Sequence, residues 1–269
     1  MIAPKRLLAI VAIAASIAIA LVLSKHFLAG LSDPYGVDEA PPEGAERVLF
    51  IGNSHTFYND LPGMVKRMAW ENDETPALAV DEVTKGGASL GDHLPNRELE
   101  AVVRGGEYDV VVIQANSLEP VTDPEGYVER FGVMADWSEE GGALPLLYEL
   151  WPRQEGSEVY QQPWMPGTQE ETARRIREAS VEAVRGTTAR VAPVGGVWER
   201  SRRQAMPIEL YQSDGNHPTV EGTYLAALVI YGTIDEAALS GPPWAPGEIS
   251  DGDAELLGGL AGESLATED

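Results

Sequence analysis

One serine of the chain is placed where a nucleophile would be useful. Ser54 belongs to the run GNSHT, directly after the apolar stretch VLFIGN, and a helical pattern begins near Asp60. A serine at a strand-to-helix turn projects its hydroxyl beyond the strand, and its own N–H is available to an oxyanion. The position equally suits a turn or helix-cap serine. Thr56 stands where a G-x-S-x-G elbow needs its second glycine, which argues against that kind of hydrolase.

A histidine and an aspartate lie together near the other end of the chain. Asp214 and His217 are three residues apart in the loop SDGNHPT, just before an apolar helical pattern. This spacing lets the carboxylate accept from one imidazole nitrogen while the other nitrogen faces outward, as a general base requires. A helix-capping loop with an incidental histidine is the alternative. Together, Ser54 and the D-x-x-H pair predict a serine hydrolase site.

The elements that would position these residues alternate along the chain. Short apolar runs such as DVVVIQ, apolar on both faces, are typical of parallel strands covered by helices on each side. Such a sheet binds ligands beyond the carboxyl ends of its strands. The pattern predicts a three-layer α/β/α fold with one five-stranded parallel sheet. We expect strands at Val48–Asn53, Ala77–Val83, Asp109–Gln114, Leu144–Leu150 and Ala189–Val194, and helices at Asp60–Asn72, Leu90–Arg104, Pro124–Glu140, Gln169–Arg185 and Thr219–Ala238.

Composition limits the class of protein. The 269 residues carry a formal net charge of −24, which repels phosphate backbones, so nucleic acid is not an expected partner. Such acidity suits high salt, where repulsion between carboxylates is screened, but ordinary acidic drift is an equal alternative. The chain has no cysteine, which excludes disulfides, thiolate nucleophiles and cysteine metal sites. No H-E-x-x-H or similar spacing indicates a metal, and no cofactor is expected.

The N-terminal region indicates export. Residues 7–23 carry no charge, follow Lys5 and Arg6, and precede Lys25. This pattern is typical of an export signal or a membrane anchor. The small-x-small pair Ala18 and Ala20 lies within the apolar run rather than after it, so we favour an uncleaved anchor with the domain outside the cytoplasm. A cleaved signal peptide and a secreted protein are the alternative. The predicted organisation is a signal or transmembrane anchor (1–31), an acidic Pro/Gly linker (32–47), the folded domain (48–240), and a C-terminal peripheral segment and tail (241–269).

The two blocks around Ser54 and His217 resemble the SGNH, or GDSL-like, hydrolases. In that family a nucleophilic serine follows the first strand, an oxyanion glycine the second and an oxyanion asparagine the third, and a D-x-x-H block comes last. Here Gly52-Asn53-Ser54 matches the first block, Gly87 the glycine and Asn116 the asparagine, although Gln114 and Ser117 replace the usual glycine and aspartate of G-x-N-D. The chain looks closest to a largely uncharacterised subgroup with F-I-G-N-S and D-G-N-H-P motifs.

The resemblance implies a flavodoxin-like domain and a serine esterase needing no metal or organic cofactor. Ser54 would be the nucleophile and His217 its base, oriented by Asp214. The oxyanion would be held by the N–H groups of Ser54 and Gly87 and by the amide of Asn116. The expected substrate is a small-molecule or glycan ester, with de-O-acylation of cell-surface carbohydrate foremost. The alternative from another class is a catalytically silent surface module that binds glycan in the same crevice.

Four further residues are candidate substrate contacts. His55 follows the nucleophile, and because adjacent side chains of an extended segment point opposite ways, we expect it at the rim rather than as the base. His93 lies near a helix start after Gly87, with a solvated helix residue as the simpler alternative. Trp151 ends the fourth strand, where aromatic packing is equally plausible. Trp164 belongs to the loop 152–167, whose length is typical of a lid.

Overall fold

The structure, a computed structural model, describes residues 35, 41–73, 75–235 and 244–266. The predicted N-terminal anchor, half of the linker and the last three residues lie outside these described residues. Within them, no helix combines the length and the apolar character that crossing a membrane requires.

The core of the fold is one parallel sheet whose strands follow the order β2-β1-β3-β4-β5. All four neighbouring pairs are parallel. This confirms the predicted five-stranded, flavodoxin-like sheet, and each strand lies within two residues of its predicted bounds. The strands are β1 Glu46–Gly52, β2 Leu78–Thr84, β3 Val110–Ile113, β4 Leu144–Tyr148 and β5 Arg190–Ala192.

Helices cover both faces of the sheet. In chain order they are α1 Ser54–Phe57, α2 Leu61–Glu71, α3 Leu90–His93, α4 Arg97–Arg104, α5 Glu119–Thr122, α6 Pro124–Gly141, α7 Gln169–Ala183, α8 Val194–Arg203, α9 Val220–Asp235 and α10 Asp251–Leu265. Alternate residues of β1 point to opposite faces. Val48 and Phe50 pack with α2, α8, α9 and α10, whereas Leu49 and Ile51 pack with α4, α6 and α7. The molecule therefore has the three layers that its sequence predicts.

Two helical predictions need correction. The predicted helix Leu90–Arg104 is two helices, because the side chain of Asn96 caps a new helix by accepting from the N–H groups of Glu98 and Leu99. Helix α8 was missed because two glycines at its start weaken helix propensity. One of them, Gly195, is required, since a Cβ there would lie 2.3 Å from the carbonyl oxygen of Leu150.

The C-terminal segment is less peripheral than predicted. Helix α10 has 15 residues, and its Leu257 and Ala261 are fully buried in the same core cluster as α9. Burying a leucine side chain contributes about 1.5–3 kcal/mol. The described part of the C-terminal segment therefore belongs to the core.

The register of the sheet brings three loops together. Gly52 at the end of β1 pairs with Thr84 at the end of β2, and Ile51 pairs with Ile113 at the end of β3. The segments that follow these strands consequently leave from one edge of the sheet. Ser54, Gly87 and Asn116 lie two or three residues beyond those ends.

Candidate active site

The serine and histidine predicted from the sequence meet in space. The Oγ of Ser54 lies 2.9 Å from Nε2 of His217, although 163 positions separate them in the chain. On the other side of the imidazole, Nδ1 lies 2.5 Å from Oδ2 of Asp214. An ionised carboxylate is an acceptor only, so it places the ring proton on Nδ1 and leaves Nε2 to accept from the serine hydroxyl.

The carboxylate of Asp214 is held in its ionised form. Partial burial acts to raise its pKa, but hydrogen bonds from the ring of His217 and from the N–H groups of Asn216 and His217 outweigh this and lower the pKa to about 2. The same bonds form an Asx turn that shapes the loop. Gly215, at φ +64°, provides the left-handed residue that the turn needs.

The side chain of Asn59 makes three hydrogen bonds that join the nucleophile segment to the base segment. Asn59 follows α1, and its Nδ2 donates to the carbonyl oxygens of Pro218 and Thr219 and to Oγ1 of Thr223, at 3.2, 3.1 and 2.8 Å. Asn59 adopts φ +50°, a left-handed conformation that asparagine tolerates better than most residues. This residue therefore fixes the distance between the turn carrying Ser54 and the loop carrying His217.

The turn before the serine is held by buried polar groups. Gln114, 1% exposed, accepts through Oε1 from the N–H of Asn53 and from Oγ1 of Thr56, both at 2.8 Å. Asn53 in turn donates through Nδ2 to the carbonyl oxygen of Ala88 at 2.9 Å. Asn53 and Gln114, of which Gln114 replaces the usual family glycine, thus brace the nucleophile turn. A Cβ at Gly52 would lie 2.3 Å from Thr56 Oγ1, so this position has no room for a side chain.

The predicted oxyanion donors lie around the same turn. Gly87 has φ +70°, and Nδ2 of Asn116 donates to its carbonyl oxygen at 3.1 Å. Among the described residues, no acceptor is found for the N–H groups of Ser54 and Gly87. The side-chain amide of Asn116 has a second proton, which the bond to Gly87 does not use. The structure therefore places the loops of all three predicted donors together and leaves donors unused there.

The loop of Asn116 depends on Glu119, a residue that the sequence analysis missed. Glu119 is 8% exposed, and its Oε2 accepts from the N–H groups of Asn116 and Leu90, at 2.8 and 3.1 Å. Its other oxygen accepts from Arg130 at 3.1 Å. The spacing N-x-x-E from Asn116 to Glu119 could have indicated this role, because it resembles a capping box. As in such a box, Asn116 Oδ1 accepts from a following backbone N–H, that of Leu118.

Two rings enclose the imidazole of His217. Tyr58 is stacked on it with centroids 4.3 Å apart and planes at 10°, and the ring of His55 is also stacked with it at 5.3 Å and 26°. Burial first, then the neighbouring His217 and Arg153, lower the pKa of His55 to about 3, so this ring is neutral. Nδ1 of His55 lies 3.2 Å from Oδ1 of Asn53, and its Nε2 lies 3.1 Å from Oδ1 of Asn216. The stack fixes the plane in which His217 presents Nε2.

Three of the four predicted substrate contacts are wrong because the side chains are enclosed by protein. His55 is 4% exposed, and His93, 5% exposed, places Nε2 3.0 Å from the carbonyl oxygen of Gly52. Trp151 is 2% exposed and stacks on Trp198 at 3.8 Å, as its packing alternative predicts. Trp164 is 51% exposed, and its contact with substrate stays a prediction.

Comparisons with known proteins show the family and the fold of this chain. No family model and no curated protein matches the chain. A solved structure described as "a putative SGNH hydrolase from Slackia heliotrinireducens" is 30% identical, with a TM-score of 0.61, covering 71% of this chain and 100% of its own. The chain therefore belongs to the SGNH hydrolases.

More distant structures share the fold. A DUF4886 family protein from Bacteroides uniformis has a TM-score of 0.68 at 15% identity, covering 84% of this chain and 96% of its own. A catalytic mutant of an acetylxylan esterase from Geobacillus stearothermophilus has a TM-score of 0.52 at 13% identity, covering 71% and 96%. At these identities the likeness concerns the fold, and the chemistry must be argued from the residues of this chain.

Proposed function

We propose that this protein is a serine ester hydrolase in which Ser54 is the nucleophile. The observation that carries the proposal is the 2.9 Å distance from Ser54 Oγ to Nε2 of a histidine whose other nitrogen is engaged by Asp214. A nucleophile within hydrogen-bond reach of a base, with the base oriented by a third group, is the arrangement that acyl transfer requires.

The reaction follows from the positions of these groups. His217 accepts the proton of Ser54 as Oγ attacks the ester carbonyl, and then donates a proton to the departing alkoxide. Asp214 stabilises the imidazolium that forms in between. Water, activated by the same imidazole, releases the acyl group from the serine.

The oxyanion of the tetrahedral intermediate needs donors that the ground state leaves unused. We assign this role to the N–H groups of Ser54 and Gly87 and to Nδ2 of Asn116. The first two have no acceptor within the described chain, and Asn116 Nδ2 holds one proton beyond its bond to Gly87. Each such donor stabilises the transition state by about 2.7–4 kcal/mol.

The substrate class we propose is an acylated carbohydrate or cell-surface polymer. Export supports it, because the uncharged segment 7–23 after Lys5 and Arg6 favours a domain outside the cytoplasm, anchored or secreted. The acetylxylan esterase of the same fold is consistent with de-O-acetylation, by analogy only. Fractionation of cells expressing a tagged chain tests the location, and recovery in the cytosol would contradict it.

The activity is tested with the purified full chain and p-nitrophenyl acetate. We expect Ser54-dependent turnover, and we expect Ser54→Ala and His217→Ala each to lower kcat by about 10⁴-fold or more. The matched control is Ser213→Ala, which removes an exposed hydroxyl beside the same loop and should retain activity. An inert wild-type chain that still binds polysaccharide would overturn the proposal and favour a glycan-binding module.

A further inference from the structure

The edge of the sheet that carries the candidate site also carries an arginine. Arg153 follows β4, and its Nη2 lies 3.4 Å from Oγ of Ser117, the residue after Asn116. The next residue, Gln154, donates its N–H to the carbonyl oxygen of Gly215, beside Asp214. In the strand order β2-β1-β3-β4, the loop residues Gly87, Ser54, Asn116 and Arg153 therefore form a row along one edge.

Arg153 forms no salt bridge among the described residues, although the chain holds 43 acidic side chains against 19 basic ones. The carboxylate of Asp214 attracts it only at longer range and is already hydrogen-bonded to His217. Other arginines are paired, among them Arg130 with Glu119 and Arg202 with Glu199. Its Nε is enclosed without an acceptor, and its long contact with Ser117 leaves the guanidinium weakly satisfied. A partly buried guanidinium without a directly bonded carboxylate costs free energy, part of which a bound anion would recover.

A departure noted in the sequence accounts for the absence of a directly bonded carboxylate at this point. The family places an aspartate after the oxyanion asparagine, and this chain has Ser117 there. A carboxylate at position 117 would lie next to the guanidinium and neutralise it. With serine, the charge of Arg153 is available beside the predicted oxyanion donors.

We propose that Arg153 binds an anionic group of the substrate, such as a carboxylate or sulfate close to the scissile ester. This rests on the proposed ester hydrolase activity and narrows it to acidic substrates. A guanidinium suits this role because its fork of donors matches the geometry of carboxylates and sulfates and its charge does not titrate. The anion is carried either by the acyl group or by the alcohol.

Paired substrates separate these two sources. Mono-p-nitrophenyl adipate and p-nitrophenyl hexanoate have acyl chains of equal length and differ in the terminal charge. Acetylated oligogalacturonides and acetylated xylo-oligosaccharides compare an acidic with a neutral alcohol. In one of these two pairs, we expect the full wild-type chain to have a higher kcat/KM for the acidic substrate than for its neutral counterpart.

Substitutions of Arg153 and of Ser117, the two residues in contact, test whether Arg153 binds the anionic group. Arg153→Gln and Ser117→Asp should each lower kcat/KM for the preferred acidic substrate by about 10- to 100-fold and leave its neutral counterpart within about 3-fold. Ser117→Asn, similar in size to aspartate but neutral, should retain the preference. So should Arg185→Gln, which removes the same charge from an exposed position after α7, at the opposite edge of the sheet.

The outcomes separate the two proposals. Ser54-dependent hydrolysis with no acidic preference, or with a preference that survives both Arg153→Gln and Ser117→Asp, would overturn the role of Arg153 and leave the esterase intact. Calorimetric titration with adipate and with oligogalacturonide gives a readout that needs no turnover. If wild type and Arg153→Gln bind both anions equally, or neither anion binds, the inference fails irrespective of activity.

Discussion

Asp214 and His217 lie three residues apart in one loop, whereas Ser54, Gly87 and Asn116 follow three different strands. The base half is therefore stabilised by local contacts, through an Asx turn with Gly215. The oxyanion half depends on contacts between distant segments, such as Asn53 with Ala88 and Glu119 with Leu90. The base half can be recognised from the spacing of Asp214 and His217 alone. The oxyanion half comes together only through the register of the sheet, which spacing does not show.

The largest effect in this comparison is expected in the base half. Asp214→Asn retains the shape of the loop but replaces the acceptor at Oδ2 with an amide, which favours the wrong imidazole tautomer. We expect kcat for p-nitrophenyl acetate to fall by about 10⁴-fold. Asp251→Asn, an exposed position at the start of α10, is the control and should retain activity. A loss below about tenfold would show that Asp214 does not orient the base.

The oxyanion half should respond less strongly, because each donor is one of several. Asn116→Ala removes a side-chain donor, and we expect kcat to fall by about 10²–10³-fold with little change in KM. Asn96→Ala makes the same change at the cap of α4 and should lower stability without affecting kcat. Full activity of Asn116→Ala would contradict its role as an oxyanion donor and leave only the N–H groups of Ser54 and Gly87 in that role.

The connection between the halves can be weakened through Asn59. Asn59→Gly keeps the left-handed conformation and removes three hydrogen bonds, whereas Asn59→Ala also strains the backbone. We expect both variants to lower kcat by about tenfold, and the alanine variant to lose about 1 kcal/mol more stability in urea unfolding. Equal stability of the two variants would contradict the role assigned to the backbone.

The last effect is on stability rather than on kcat, and it concerns the buried imidazole of His55 behind the base. The pKa of His55 is about 3 in the folded protein against an ordinary value of 6.5 for histidine, so the unfolded chain binds more protons between these limits. Stability should therefore fall as pH decreases from 6.5 towards 3, by up to about 1.4 kcal/mol per pH unit from this group. Urea unfolding of wild type and His55→Gln at about pH 5 and about pH 7 measures this difference. His93, whose pKa is also lowered by burial, leaves a residual slope. Identical slopes in the two proteins would contradict a neutral, buried His55.

The sequence predicts the sheet and the Asp214–His217 pair because both have short-range signals. Apolar strands such as β3 and the D-x-x-H loop are visible within a few residues. Helix α8 was missed because Gly195, one of its two glycines, is required by a close contact with Leu150, which no local pattern encodes. His55, His93 and Trp151 were misplaced for the same reason, since their burial depends on elements far away in the chain. Arg153 carries only the weak signal of a cation at a strand end.

The most direct test of the account is to find where a fluorophosphonate probe attaches to the full-length chain. Peptide mass spectrometry should locate the adduct on Ser54 in the wild type, with labelling strongly reduced in His217→Ala and retained in Ser213→Ala. An adduct on another residue, or labelling of Ser54 at the same rate without His217, would contradict the claim that folding activates this serine through that histidine.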